Sequence, residues 1–167
     1  MALDLPFVAL IDTSVFALRL GHKPTDPNAA ACVDFCDRMA RSGSRRLFVA
    51  APTITEVTRY KGKEVPLVPG ISVVAFDERA ATLLGMKLPA LALAEWRDDL
   101  PARTVACLKY DALIVGCALR IPNCAFVSMD KGQLALATRV GLAAHHPSDY
   151  FTPPGTTSPQ PGQLLLP

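Results

Sequence analysis

The chain has 167 residues, half of them hydrophobic, and a formal net charge of +2. This length suits one domain with a buried core, and the hydrophobic content excludes a disordered chain. No run reaches the roughly 18 apolar residues that a membrane-spanning helix needs. The N-terminus carries Asp4 and lacks the basic segment of a signal peptide, so we expect a cytoplasmic protein without membrane association.

Short apolar runs alternate with helical patterns along the chain. They predict strands at 7–11, 47–50, 71–76, 125–129 and 142–146, and helices at about 13–20, 29–41, 54–61, 78–86, 102–120 and 131–140. Asn28 and Asp77 are predicted to cap helices at their N-termini, and Gly141 at a C-terminus. This alternation predicts an α/β fold around a mainly parallel sheet.

Two segments do not follow this alternation. The stretch 88–100 has helical character but is bounded by prolines, and we leave it unassigned. From residue 152 the chain is rich in Pro, Gly, Ser and Thr and has no charge. We therefore divide the chain into one domain at 1–150 and a flexible tail at 151–167.

The five cysteines are odd in number and contain no C-x-x-C pair. Cys32 and Cys36 are four residues apart on a helical pattern, but no His or Cys pair lies nearby to complete a zinc site. Buried thiols in a reducing compartment are the favoured interpretation.

Two aspartates follow predicted strands at their carboxyl ends. Asp12 ends the first strand and Asp130 the fourth. Ligands of parallel sheets bind in the crevice beyond these ends, so the pair is a candidate metal or catalytic pocket. Both residues could instead cap the next helix, Asp130 in a capping box with Gln133. At the first strand, Thr13 or Ser14 could cap and leave Asp12 free.

Two further acids lie on predicted helices. Glu56 fits a capping box with Thr53 as the N-cap, but a side chain there also lies near the end of the preceding strand. Asp111 is mid-helix and shares an apolar arc with Leu108 and Ala112. A buried carboxylate in that arc needs a cation from elsewhere in the fold, unless Asp111 sits at the edge of the arc in solvent.

The four acids together favour a divalent metal site. Carboxylates about 5 Å apart repel by roughly 3 kcal/mol per pair at an effective dielectric near 20. A metal ion would offset that repulsion, and oxygen ligands without His or Cys favour Mg²⁺ or Mn²⁺ over zinc.

Basic residues cluster between 38 and 63, where Glu56 is the only acid. A basic surface around an acidic pocket is typical of a protein that binds a polyanion and cleaves it with a metal ion. The candidates for binding RNA phosphates are Arg45, Arg46, Arg59 and Lys61. A solvated, solubilising surface is the alternative for such a cluster.

These stretches resemble a PIN domain, particularly a VapC-type toxin ribonuclease. The matching segments are VALIDTSVF, TITEVTR, KYDALIVGCAL and FVSMDKGQL, in that order within residues 7–146. The family pattern is strand-Asp-Thr/Ser, helix-Glu, helix Asp-x-x-Ile-x-x-x-Ala and strand-Thr/Ser-x-Asp. Many relatives have another acid a few residues after the last Asp, where this chain has Gln133 and Leu134. Whether one or two metal ions bind is therefore left undecided.

The resemblance implies an α/β/α sandwich and a metal-dependent endoribonuclease, often a homodimer and often held inactive by an antitoxin. It implies Asp12, Glu56, Asp111 and Asp130 as the catalytic and metal-binding residues. The hydroxyls of Thr13 or Ser14 and of Ser128 would support these carboxylates.

Two other functions compete with RNA hydrolysis. A phosphatase with an aspartyl nucleophile usually has a second Asp two residues after the first, where this chain has Ser14. The alternative is a PIN-like domain that has lost turnover and serves as an RNA-binding or interaction module, which the sequence does not exclude. A cleavage assay with defined metal ions separates the enzyme from the module.

Overall fold

A computed structural model of the chain describes residues 2–23, 25–66, 68–88 and 105–151. The unassigned stretch after Leu88, the predicted helix start at 102 and all but the first residue of the tail lie outside these ranges.

The described residues alternate between strands and helices, and every predicted element within them is present. The strands are β1 (Val8–Ile11), β2 (Arg46–Ala50), β3 (Ile71–Val74), β4 (Ala125–Val127) and β5 (Ala143–His145). The helices are α1 (Thr13–Arg19), α2 (Ala29–Arg41), α3 (Ala51–Lys61), α4 (Glu78–Lys87), α5 (Val105–Leu119) and α6 (Lys131–Arg139). Among these, no helix combines the length and apolar character needed to cross a bilayer.

The five strands form one parallel sheet in the order β3-β2-β1-β4-β5. Side chains alternate between its two faces, so Leu10 and Phe126 enter one apolar cluster while Ile11 and Val127 enter the other. Helices α5 and α6 pack on the first face, and α1 and α2 on the second. The predicted α/β/α sandwich with a parallel sheet is confirmed.

The strand order reverses direction between β1 and β4, which creates a crevice at their carboxyl ends. The backbone N–H of Asp12 donates to the Val127 carbonyl at 3.1 Å, so these two ends lie side by side. A reversal of this kind is where open α/β sheets usually bind ligands. The fold therefore brings Asp12 and Asp130 to the position that the sequence indicated.

Of the caps predicted at Asn28, Asp77 and Gly141, two are confirmed. Asp77 accepts the Ala80 backbone N–H at 3.0 Å, as expected of an N-cap. Gly141 has φ +90° and donates to the Thr138 carbonyl, which ends α6 as predicted. Asn28 occupies the N-cap position of α2, but its side chain makes no capping hydrogen bond, so that prediction is wrong in its mechanism.

The cysteines whose side chains the structure describes are free and buried, as predicted, and they are Cys32, Cys36, Cys117 and Cys124. Burial raises the pKa of Cys36 to about 12, and likewise that of Cys124 to about 12. These thiols stay protonated at neutral pH and act as small core residues.

Candidate active site

Asp12 is both a helix cap and the most buried acid of the candidate site. It is the N-cap of α1, and only 1% of its surface is exposed. Its carboxylate accepts the Val15 backbone N–H at 3.0 Å and the hydroxyls of Ser14 at 2.7 Å and Ser128 at 2.6 Å. The alternative in which a neighbouring hydroxyl caps α1 and leaves Asp12 free is therefore not what the chain adopts.

The charge of Asp12 is poorly compensated by the surrounding protein. Burial raises the pKa of this carboxyl above its ordinary value of 3.8, while the hydrogen bonds from Ser128, Val15 and Ser14 act in the opposite direction. No Lys or Arg in the described ranges forms an ion pair with it. A buried carboxyl in such surroundings is stabilised by protonation, or by a bound cation where one is present.

Asp130 is joined to Asp12 through Ser128. Its backbone N–H donates to the Ser128 hydroxyl oxygen at 2.8 Å, and that hydroxyl donates onward to Asp12. The Asp130 side chain caps α6 by accepting the Gln133 backbone N–H at 2.9 Å. This is half of the predicted capping box, because the Gln133 side chain turns to a different partner.

That partner is Asp111. The amide nitrogen Nε2 of Gln133 donates to Asp111 Oδ1 at 2.7 Å, and both residues are buried. The predicted burial of Asp111 is confirmed. Gln133 supplies a hydrogen-bond donor from α6, and the role of Asp111 as a metal ligand stays a prediction. The other amide atom of Gln133, Oε1, is buried without a hydrogen-bond partner among the described residues.

Glu56 enters the site from α3, and the predicted capping box around it is wrong. Helix α3 begins at Ala51, with Pro52 in its first turn, so Thr53 lies within the helix rather than at its N-cap. The Thr13 hydroxyl donates to Glu56 instead, and it also lies 3.3 Å from the Thr53 hydroxyl. Glu56 is thereby held beside the start of α1, at the residue that follows Asp12.

We call the four side chains of Asp12, Glu56, Asp111 and Asp130 the acidic cluster. They are oxygen donors at one edge of the sheet, a set that suits Mg²⁺ or Mn²⁺. Hydrogen bonds connect three of these residues. The Ser128 hydroxyl lies between the Asp12 carboxylate and the Asp130 backbone N–H, and Gln133 donates its backbone N–H to Asp130 and its side-chain amide to Asp111. Within the described ranges, however, no three His, Cys, Asp or Glu side chains come together closely enough to hold an ion.

A cavity of about 330 Å³ opens beside the acidic cluster, between α1 and α3. Thr13, Glu56, Arg59 and Lys61 are among the residues that line it. Asp12, Asp111 and Asp130 are not among its lining residues. Arg59 and Lys61 thus place two cations near Glu56, and we call them the rim of the cavity.

The other two predicted RNA-binding residues lie elsewhere. Arg45 and Arg46 are at the amino end of β2, whereas the acidic cluster is at the carboxyl ends of the strands. Arg45 donates to the Leu5 carbonyl at 3.3 Å and stacks its guanidinium over the Phe7 ring at 5.7 Å. The amino and carboxyl ends of the strands lie at opposite edges of a parallel sheet. Arg45 and Arg46 are therefore not next to Arg59 and Lys61.

The cavity also contains residues that the sequence reasoning missed. Tyr60 and His22 also line it. Tyr60 could have been found, because it lies four residues after Glu56 and so on the same helix face. His22 carries no such signal, since a loop brings it there.

Comparison with known proteins yields a structural match. No protein-family model matches the chain, and no curated protein matches it significantly. A solved structure, "Structure of FitAB bound to IR36 DNA fragment", aligns with 84% of this chain and 94% of its own, with a TM-score of 0.52 and 15% sequence identity. At this identity the likeness concerns the fold alone, and that fold is the PIN-like α/β/α sandwich predicted from the sequence.

Proposed function

We propose that the protein is a metal-dependent endoribonuclease that hydrolyses RNA phosphodiester bonds, acting as the toxin of a toxin–antitoxin pair. The observation that carries this proposal is the acidic cluster at the strand-order reversal, where hydroxyl and amide groups link Asp12, Asp130 and Asp111. Carboxylates at one edge of the sheet, with Arg59 and Lys61 lining a cavity beside Glu56, suit a phosphate substrate with a divalent cation.

The shared fold supports the toxin assignment. FitAB is a toxin–antitoxin complex whose FitB subunit is a PIN-domain toxin. By analogy we propose an antitoxin partner for this chain, and a homodimer as its assembled form. Both proposals depend on fold resemblance rather than on any contact within this chain.

In the proposed mechanism, the side chains of the acidic cluster hold Mg²⁺ or Mn²⁺. When bound, such an ion supplies an activated water and neutralises charge on the phosphate oxygens. Ser14 and Ser128 keep Asp12 oriented by donating hydrogen bonds to it, and Thr13 does the same for Glu56. Arg59 and Lys61 bind the RNA backbone and bring a phosphate to the edge of the sheet.

The proposed function predicts that RNA cleavage depends on the metal. Cleavage of a single-stranded RNA should require Mg²⁺ or Mn²⁺ and should stop in EDTA, because no His or Cys nucleophile is proposed to replace the ion. Zn²⁺ should substitute poorly, since the ligands are carboxylates. The measurement is a cleavage time course with purified protein after metal stripping and re-addition. Undiminished cleavage by the stripped protein in EDTA would contradict the metal mechanism.

A second prediction concerns the two cations at the rim. Replacing Arg59 and Lys61 by alanine should weaken RNA binding for all sequences alike. It should also flatten the log–log salt dependence of binding by about 0.7 units for each phosphate that the variant no longer neutralises. The matched control is Arg46→Ala, an exposed arginine at the opposite edge of the sheet, which should leave affinity and slope unchanged. Equal effects of the two changes would show that the basic surface acts without regard to position.

One set of observations favours an alternative function, an inactive PIN-like domain that binds RNA or a partner. Gln133 stands where many relatives have an acid, and no three acids among the described residues converge on one point. RNA binding with the predicted salt dependence, but no cleavage in Mg²⁺ or Mn²⁺, would establish this alternative.

A further inference from the structure

The cavity between α1 and α3 has an aromatic end. The rings of His22 and Tyr60 meet edge to face, with centroids 4.7 Å apart and planes at 72°. Tyr60 is 71% exposed, a large value for an aromatic side chain. Its ring therefore has surface open to a ligand, and the cavity volume of about 330 Å³ is in the range of small-ligand sites.

The backbone fixes the position of His22. The chain leaves the end of α1 through Gly21, whose φ of +78° reverses the chain direction. The N–H of Gly21 donates to the Leu18 carbonyl at 2.9 Å, and that of His22 donates to the Ala17 carbonyl at 3.0 Å. This paired pattern is a Schellman motif, which holds His22 against the last turn of α1 and thus beside Tyr60.

Helix α3 fixes the distance from this aromatic end to the acidic cluster. Glu56 and Tyr60 are four residues apart, so they lie on one face, about one helical turn of 5.4 Å from each other. Arg59 and Lys61 line the same cavity, and neither forms an ion pair among the described residues. An aromatic surface next to uncompensated cations is the combination that binds single-stranded nucleic acid, with the ring stacking on a base and the cations on phosphates.

We propose that the Tyr60–His22 end of this cavity binds one unpaired nucleobase of the RNA strand, next to the phosphate held at the acidic cluster. The proposal rests on the proposed ribonuclease function and names its substrate class, an RNA whose bases are unstacked near the cleaved bond. Base-paired RNA cannot present a base to this cavity without losing its stacking, so the site selects single-stranded segments, loops and ends.

Affinity measurements with a short single-stranded RNA test the proposal, in EDTA so that the strand stays intact. Removing one base at a time, by abasic substitution, should identify one position at which the missing base weakens binding most. Tyr60→Ala should weaken binding by about 5- to 150-fold, the effect of removing one stacked base. In the Tyr60→Ala protein the abasic change at that position should weaken binding no further, because the two changes remove the same interaction.

Two variants serve as controls. Tyr60→Phe keeps the ring and should retain most of the affinity. Phe7→Ala removes an aromatic side chain that is 73% exposed but lies at the amino edge of the sheet, and it should leave RNA binding unchanged. Tyr60 is mostly exposed, so melting temperatures of all three variants should stay near that of the wild type.

The outcomes separate this proposal from the proposed function. Wild-type affinity in Tyr60→Ala, or effects that simply add between Tyr60→Ala and the abasic strand, would overturn the base site, whether or not RNA is cut. If binding depends on the base at one position but no RNA is cleaved in Mn²⁺, the base site is supported and the proposed nuclease activity is contradicted. If no RNA binds in EDTA or in Mn²⁺, both proposals fall.

Discussion

Replacing Asp12 by asparagine is expected to lower RNA cleavage by about two orders of magnitude or more, the size of effect seen when one electrostatic group of an active site is removed. The same change should remove a pH dependence from the stability of the metal-free protein. Burial raises the pKa of Asp12 above 3.8, so the folded protein binds this proton more tightly than the unfolded chain does.

The sign of this dependence follows from the direction of the shift. The contribution of Asp12 to the free energy of unfolding is fully present below the unfolded pKa and is lost as the pH rises through the folded pKa. Melting temperatures in EDTA between about pH 4 and pH 8 should therefore show wild type losing stability relative to Asp12→Asn. The test is how the difference in melting temperature between the two proteins changes with pH, not its size at one pH. An asparagine leaves one of the hydroxyls of Ser14 and Ser128 without its acceptor, which costs about 1 kcal/mol at every pH.

Asp77→Asn is the matched control. Asp77 also follows a parallel strand and caps a helix, but it follows β3 and pairs with Arg120 at 2.8 Å. Its replacement should leave cleavage near the wild-type rate. An Asp12→Asn protein that cuts RNA as fast as wild type, or an Asp77→Asn protein that is equally impaired, would mean that Asp12 acts only as a helix cap.

Asp111→Asn should also lower cleavage by about two orders of magnitude or more. The asparagine keeps an oxygen that can accept the Gln133 amide hydrogen, so the packing between α5 and α6 is retained. The variant should lose part of the rise in melting temperature that Mn²⁺ gives to wild type, because that rise follows the affinity for the ion. Melting curves with and without Mn²⁺, together with a cleavage assay, measure both effects.

The control for this change is Asp34→Asn. Asp34 is also a mid-helix acid, but it lies on α2 and pairs with Arg38 at 3.2 Å. It should change neither the Mn²⁺ response nor cleavage. A wild-type rate and a wild-type Mn²⁺ response in Asp111→Asn would assign Asp111 to a packing role with Gln133.

The sequence predicted the parts of this molecule that local patterns determine. Asp12 and Asp130 end apolar strands, and the ends of parallel strands meet at one edge, so their proximity followed from the fold class. The caps at Asp77 and Gly141 followed from residue types with known backbone preferences. Burial of Asp111 followed from the helical period of its apolar neighbours.

The remaining parts depend on interactions between segments distant in sequence. The Gln133 amide reaches Asp111 across 22 residues, and Thr13 reaches Glu56 across 43. Arg46 and Arg59 belong to one basic stretch of the sequence, but a strand and a helix separate them, so they lie at different edges of the sheet. The start of α3 was placed too late because Thr53 and Glu56 fit a capping box, whereas Pro52 already suits the first turn.

The hydrogen bond from Ser128 to Asp12 joins residues 116 positions apart. During synthesis, β2 is the first strand that can pair with β1. The other edge of β1 has no strand to pair with until β4 has been translated. A growing chain that ends before residue 128 has Asp12 without that hydroxyl and has neither Asp130 nor Gln133. The acidic cluster is therefore complete only when nearly the whole domain has been translated.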